Sequence, residues 1–328
     1  MKKFERLRAE LRRKIDSGEM VVALGAHDAL SARVFEVAGY DAVYMTGHGV
    51  GASMLAWSDV GLTTMTEMVS TARNICNAID VPLIADMDTG YGNAVNVARA
   101  IREYEQAGVA MVQFEDQAMP KKCGFMKGKA LVSKEEMVGK VRAAVAARED
   151  PNFMICARSD ARAMEGAEGM YDRLEAYAEA GADLVYAEAP TNVDDIRADA
   201  MRKYGKAKNY LIGAWLGPRY GLTIDDVRKM GYSVMILPEI GFTVVPKGLY
   251  DVAVELKKTG VYPDFVAQGR QMAWKDVQEL IRLPEIQQME TDYLPAEVKK
   301  QRWESEGVPK AESYYIDGMD ESTAPSKG

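Results

Sequence analysis

Carboxylates recur in this chain just after short apolar runs: Asp86 and Asp88 in ADMDTGYGN, Glu115 and Asp116 in QFEDQ, Asp160 beside Arg158 in ARSD, Glu188 in YAEAP and Glu239 in LPE. If the ends of those runs converge, the acids repel one another unless a cation or a proton sits among them. An all-oxygen cluster suits Mg2+, with Mn2+ as the alternative, better than it suits zinc. Asp86 and Asp88 form the strongest pair, because the two glycines that follow let the backbone turn tightly beside a ligand. A plainer reading is that one acid of such a pair caps the next helix, and it applies to Asp88 more than to Asp86. Thr46 and His48 follow another apolar run, and His48 either faces the same volume or serves the structure.

A second reactive segment is PKKCGFMKGK, residues 120–129. Its lysines, Lys121, Lys122, Lys127 and Lys129, surround Cys123. Positive charge lowers a thiol from its usual pKa of about 8.5, which would make Cys123 usable as an acid or a nucleophile. Gly124 and Gly128 read as hinges of a loop that closes over a substrate and expels water. The alternative is a solvated lysine loop with an incidental cysteine. Cys76, on the apolar face of a helical pattern, and Cys156, inside a strand-like run, read as packing residues. In HDALSARV, Asp28 or Ser31 reads as a helix cap.

For the acids to meet, the runs must be strands with a common polarity. AGYDAVYMTG, AGVAMVQFED, AGADLVYAEA and MGYSVMILPE repeat one pattern: a helix stopped at Gly39, Gly108, Gly181 or Gly231, then an apolar run, then polar residues. Runs that are apolar throughout fit parallel strands covered on both faces. Eight strands are predicted, near 20–26, 41–46, 82–86, 110–115, 153–158, 183–188, 209–214 and 233–237. Periodic helical faces lie between them, as in TMTEMVSTARNICNAI and SKEEMVGKVRAAVAARE. Eight alternations favour an α/β fold of the (β/α)8 TIM-barrel type, whose chemistry sits at the C-terminal strand ends. A doubly wound open sheet is the runner-up. The dinucleotide fingerprint GxGxxG is absent, and GHGVGAS resembles it only loosely.

The length of 328 residues holds one such barrel with extra helices. We expect a single domain over 1–290, with an amphipathic N-terminal helix carrying Phe4, Leu7, Leu11 and Ile15, and a polar, mobile tail over 291–328. A net charge of −8 argues against a nucleic-acid partner. No run approaches the roughly 18 apolar residues of a membrane span, and the charged N-terminus does not read as a secretory signal. Three widely spaced cysteines point to a reducing, cytoplasmic setting rather than a disulfide framework.

The segments GAHDALSARVFEVAGYDAVYMTG, GASMLAWSDVGLTTMTEM, PLIADMDTGYGNAVNVARAIREYEQAGV, QFEDQAMPKKCG, ARSDAR, AGADLVYAEAP and GYSVMILP carry a resemblance. Over about residues 5 to 290 the chain resembles the isocitrate lyase/phosphoenolpyruvate mutase superfamily, in its branch of short C–C lyases of the 2-methylisocitrate lyase and 2,3-dimethylmalate lyase type. DxDTGYGN followed by EDQxxPKKCG is a specific combination. The resemblance implies a Mg2+-dependent lyase that splits a substituted malate-type 2-hydroxy acid into a 2-oxo acid and a carboxylic acid. It also implies homotetramers in which a C-terminal helix is exchanged between barrels. Asp86 would hold the metal, with Asp59, Asp88 and Glu115 around it mostly through water. Tyr44, Thr46, Gly47 and Arg158 fall where the family binds the carboxylate and hydroxyl end of its substrate. Glu188 matches a polar site residue, and Cys123 matches the loop cysteine that acts as general acid. Lys121 and Gly124 share that loop, and Pro238 ends the eighth strand motif. The mutase and phosphonopyruvate hydrolase branch lacks the cysteine, so KKCG points to C–C cleavage.

In that chemistry the 2-hydroxy group is deprotonated and the C–C bond breaks to a 2-oxo acid and an enolate. The metal and Arg158 carry the oxygen charges, and Cys123 protonates the carbanion carbon. Tyr44 and Glu188 are both candidates for the base. The chain also departs from the family. Phe125 stands where the loop usually has histidine, and His48 where a small residue is common. GAWLGPRYGL is short, with Ala214 and Trp215 near an expected asparagine. These changes predict a distal substrate group that is less charged, bulkier or more aromatic, with Arg219 replacing a lost contact, and they point away from methylisocitrate. Two other readings stay open: a hydrolase or decarboxylase of an oxaloacetate-type 2-oxo acid, and a barrel that binds a small acid without turnover.

Overall fold

Strand and helix alternate along the chain in a computed structural model that describes residues 2–214, 216–218, 220–262 and 264–303. The first half runs α1 (Lys3–Asp16), β1 (Val21–Ala26), α2 (Ala29–Val37), β2 (Val43–Met45), α3 (Gly47–Leu55), α4 (Met65–Ala78), β3 (Leu83–Asp86), α5 (Ala94–Ala107), β4 (Met111–Glu115) and α6 (Lys134–Ala147). The second runs β5 (Met154–Ser159), α7 (Arg162–Glu179), β6 (Leu184–Ala187), α8 (Val193–Met201), β7 (Lys208–Ile212), α9 (Ile224–Met230) and β8 (Val234–Leu237). After these come α10 (Ile240–Thr259), α11 (Trp274–Leu280), α12 (Leu283–Tyr293) and α13 (Ala296–Trp303).

The strands pair in sequence order, all parallel, and β8 pairs back onto β1 through Val21↔Val234 and Leu24↔Leu237. That pairing closes a (β/α)8 barrel and removes the open-sheet alternative. Each predicted strand matches an observed one. Its apolar character follows from two buried faces. One set of side chains, including Tyr44, Ile84, Cys156, Tyr186, Tyr210 and Ile236, fills the barrel interior. The other packs outward against the helices, where Val43, Val112, Phe114 and Ile155 meet Met68, Ile101, Met137 and Leu174.

The helices start and stop on local signals. Asp28, Thr64, Asn93, Ser133, Asn192 and Thr223 each accept a backbone N–H in the first turn of the helix they precede. Gly108 and Gly231 end α5 and α9 with φ of 102° and 89°, a left-handed conformation in which a side chain is unfavourable. α1 buries Leu7, Leu11 and Ile15. Leu11 and Ile15 join the interior cluster beside Val21, Ala110, Met154, Leu184 and Val234 at the N-terminal strand ends, so α1 plugs that end and leaves the opposite rim for chemistry.

The chain divides into two compact units, one ending at Pro246 and one beginning at Lys247. Part of the expected tail, Ala296–Trp303, is helical rather than irregular. The Pro295 carbonyl accepts from Val298 and Lys299 N–H at 3.0 and 3.1 Å and opens that helix. The tail's first residues, 291–293, end α12, and residues 304–328 lie outside the described residues. No described helix is long and apolar enough to cross a membrane.

Candidate active site

A cavity of about 490 Å3, its open mouth included, lies at the C-terminal rim. Thirteen of the residues singled out by sequence line it: Tyr44, Thr46, His48, Asp59, Asp86, Lys121, Cys123, Gly124, Phe125, Arg158, Glu188, Pro238 and Glu239. Gly47, Asp88 and Glu115 stand directly behind this wall. Trp215 and Arg219 lie outside the described residues.

Asp86 ends β3, and its carboxylate is fixed by backbone donors. Gly47 N–H donates to Oδ2 at 3.2 Å and Asp88 N–H to Oδ1 at 3.0 Å. Burial, then the neighbouring Asp88 charge, raise the Asp86 pKa from 3.8 to about 6. Asp88 does not cap a helix; Asn93 does so for α5. Asp88 instead holds φ at 46°, an uncommon backbone conformation for a residue with a side chain. Its Oδ1 is 2.8 Å from Lys121 Nζ, which also donates to Asp59 Oδ1. Burial opposes the Lys121 ammonium, yet the charges of Asp88, Glu115, Asp86 and Asp59 outweigh it and push its pKa well up. Glu115, buried behind, is pushed well above the usual carboxylate range by desolvation despite Arg158 and Lys121.

Arg158 is the penultimate residue of β5 and is clamped by Asp160, with Nε to Oδ2 at 2.8 Å and Nη2 to Oδ1 at 3.0 Å. Asp160 is itself held by Lys129, and its N–H by Asp116. Asp116 also accepts from Ser159 and Tyr177, so this strand-end acid is a buried bracket and not a site group. Glu188 Oε2 lies 3.6 Å from Arg158 Nε.

The 120–129 loop is tied down at several points. Cys123 N–H donates to the Asp59 carbonyl at 3.0 Å, and Lys129 Nζ to the Gly124 carbonyl at 2.6 Å. Gly124 packs so closely that a Cβ would fall 2.0 Å from Glu188 Oε1 and 2.7 Å from Arg158 Nη2. The expectation that lysines lower the Cys123 pKa is corrected. Burial raises it and outweighs a backbone hydrogen bond from Phe125, while Asp59 and Glu188 add to the rise and Arg158 opposes it. Two of the lysines are committed elsewhere, Lys121 to Asp59 and Asp88, Lys129 to Asp160 and the Gly124 carbonyl. A thiol held protonated is a proton donor, not a nucleophile. The same burial pushes Cys76 up to about 12 and Cys156 well up, as packed thiols should behave.

Tyr186, Phe242, Ile212 and Ile236 also line the cavity, unassigned by sequence. Tyr186 lies under the Arg158 guanidinium, 5.5 Å from ring centre to carbon. It lies on β6 two residues before Glu188, which follows the strand end directly, a spacing that places both on one face and could have found it. Gln117 was overlooked as well. It donates to Glu115 Oε1 and the Lys122 carbonyl and accepts from Lys122 N–H, coupling the acid layer to the cysteine loop. His48, in the first turn of α3, stacks on Phe242 with centroids 4.5 Å apart.

The phosphoenolpyruvate phosphomutase family model matches residues 11–256. The chain is 43% identical to a 2,3-dimethylmalate lyase of Eubacterium barkeri, over 87% of this chain and 97% of that one. It is 40% identical to a 2-methylisocitrate lyase of Aeropyrum pernix, over 80% and 84%. Among solved structures it superposes on a phosphonopyruvate hydrolase in complex with oxalate and Mg2+ with a TM-score of 0.81, at 30% identity, covering 90% and 100% of the two chains.

Proposed function

The chain belongs to the phosphoenolpyruvate phosphomutase family, within the isocitrate lyase superfamily, and on that premise we propose that it is a Mg2+-dependent carbon–carbon lyase. Its substrate class is a substituted malate-type 2-hydroxy acid, cleaved to a 2-oxo acid and a carboxylic acid. One observation carries the reading: a thiol kept protonated, Cys123, lines the same small cavity as the Asp86 carboxylate and Arg158.

The donor set fits a hard dication. Asp59, Asp86, Asp88, Glu115, Asp160 and Glu188 crowd one rim and are offset by Lys121, Lys129 and Arg158; desolvation raises the Asp86 and Glu115 pKa values, and at Asp86 the neighbouring Asp88 charge adds to the rise. Asp86 would hold the ion, with Asp59, Asp88 and Glu115 around it. When bound, Mg2+ supplies Lewis-acid stabilisation of oxygen charge; Mn2+ would serve the same ligands.

The protein's own groups then divide the work. Thr46 and the Gly47 backbone lie beside Asp86 to receive the carboxylate and hydroxyl end of the substrate. Arg158, oriented by Asp160, neutralises charge on the second carboxylate as it becomes an enolate. Tyr44 is poorly suited as base, because burial and the Asp86 charge raise its pKa well above 10 and keep its proton on. Glu188, a buried carboxylate on the cavity wall, takes the hydroxyl proton instead. Cys123 delivers a proton to the carbon released by cleavage. Phe125, Ile212, Ile236, Pro238 and Phe242 give the wall an apolar part suited to alkyl substituents. That composition supports a dialkyl-malate type of substrate over a tricarboxylate. The reading includes a cytoplasmic homotetramer, with unpaired Cys76, Cys123 and Cys156 supporting a reducing compartment.

The test is product analysis with Mg2+ and a panel of alkyl-substituted malates, 2-methylisocitrate and oxaloacetate. A 2-oxo acid plus a saturated carboxylic acid from an alkyl malate is the expected result. Oxalate plus acetate, or pyruvate plus CO2, from oxaloacetate with no cleavage of any 2-hydroxy acid would overturn it.

A further inference from the structure

At the cavity mouth, beside the oxygen-lined Asp86 cluster, stands a group of different chemistry. An imidazole nitrogen of His48, a carboxylate oxygen of Asp59 and the sulfur of Cys123 all lie within 4.8 Å of one another, and all three side chains are partly exposed. They come from three separate segments: the first turn of α3, the loop between α3 and α4, and the cysteine loop. The cluster is held in place. His48 is steadied by its stack on Phe242, and Cys123 is joined to Asp59 by the 3.0 Å bond from its N–H to the Asp59 carbonyl. Lys121 engages Asp59 through Oδ1, and a carboxylate has a second oxygen.

One nitrogen, one oxygen and one sulfur with a solvent-facing fourth position is the ligand count of a three-residue zinc site, and thiolate with imidazole selects against Mg2+. Tetrahedral ligands at the usual Zn–S and Zn–N distances of about 2.3 and 2.0 Å sit roughly 3.4 Å apart, so small side-chain rotations close the group on an ion. We propose that His48, Asp59 and Cys123 form a second cation site, specific for a thiophilic divalent ion of the Zn2+ class, which adjoins the Mg2+ cluster at Asp86 and shares Asp59 with it. Binding replaces the S–H bond of Cys123 with an S–metal bond and releases its proton to solvent, with no change of oxidation state. The ion therefore takes away the proton that cleavage of the substrate needs. This inhibitory consequence rests on the lyase reading; the site itself does not.

Co2+ serves as a spectroscopic stand-in, titrated into the full-length protein in saturating Mg2+. Expected are one equivalent bound per chain, a sulfur-to-cobalt charge-transfer band in the near ultraviolet, one proton released per ion in weak buffer, and displacement by Zn2+. His48→Ala and the closer isostere His48→Asn should each weaken binding at least about 100-fold, and Cys123→Ser should abolish the band; folding of each variant is checked by circular dichroism and Mg2+ titration. Absence of the band in the wild-type protein overturns the site, and so does a band that survives both His48 substitutions with unchanged affinity. Because none of these readouts uses turnover, a failure of the lyase reading would leave them unmoved. Loss of activity that follows Co2+ occupancy, restored by chelation and Mg2+, is the expected functional result; full turnover at full occupancy would overturn the inhibitory role.

Discussion

Replacing Asp86 by asparagine should weaken metal binding and at the same time stabilise the metal-free protein. The Asp86 pKa rises from 3.8 to about 6 on folding, and each pKa unit is about 1.4 kcal/mol. At pH 7.5 the ionised side chain therefore costs about 3 kcal/mol relative to a neutral one of the same shape. Asparagine cannot accept from both Gly47 N–H and Asp88 N–H, which now bond opposite carboxylate oxygens, and losing one such bond returns about 1 kcal/mol. The net gain is about 2 kcal/mol, or roughly 4 °C in melting temperature for a unit of this size. The sign with pH follows. A folded pKa above the unfolded one favours the native state below about pH 4, and that contribution is lost as pH rises through about 6. The stability gap should therefore open between pH 4 and 7. Saturating Mg2+, at about 100 times its dissociation constant, adds about 2.7 kcal/mol to the wild-type protein and little to the variant, reversing the order. Differential scanning calorimetry in chelator and in Mg2+ at several pH values checks all three points. An Asp86→Asn protein that melts at or below wild type in chelator at pH 7.5, or gains as much from Mg2+, would refute the assignment of this carboxylate.

Cys123→Ser should lower kcat by about 100-fold or more while Mg2+ affinity measured by calorimetry stays within about threefold, since the thiol is not one of the oxygen ligands; near-normal turnover would remove Cys123 as the acid. Gly124→Ala should cost at least tenfold in kcat/KM, because its Cβ would overlap Glu188 Oε1 and crowd Arg158 Nη2, and about 1–3 kcal/mol in stability. A variant with wild-type kinetics would mean that the loop approaches Glu188 less closely than 2.0 Å implies.

The strands were legible because burial on two faces forces apolar runs, and the glycine stops fix where each begins. Barrel geometry then placed Thr46, Asp86, Arg158 and Glu188 on one rim before any side chain was located. What stayed hidden was how charges pair. Neighbouring positions in PKKCG suggested that the lysines act on the thiol, but a loop residue reaches in space, and Lys121 finds acids contributed from two other segments. Asp116 looked equivalent to Glu115 by adjacency, yet alternate strand residues face opposite ways, so one lies behind the cavity and the other braces Asp160 from outside. Gln117, Tyr186 and Phe242 carry no charge that clusters, and their roles emerge once partners are known.

Lys121 gives the acid cluster its internal order. By taking Asp59 and Asp88 on its ammonium, it partly neutralises two of the carboxylates, while Asp86, gripped by backbone N–H groups, faces the cavity. A flat cluster of equal acids would bind a dication through several direct bonds and strip it of the open positions that a chelating substrate needs. With Lys121 in place, an ion would be drawn to Asp86 while the other acids act at longer range, which would leave coordination sites for substrate oxygens. On the proposed reading, the lysine that sequence proximity assigned to the thiol's chemistry would instead set how tightly, and by which residue, the metal is held.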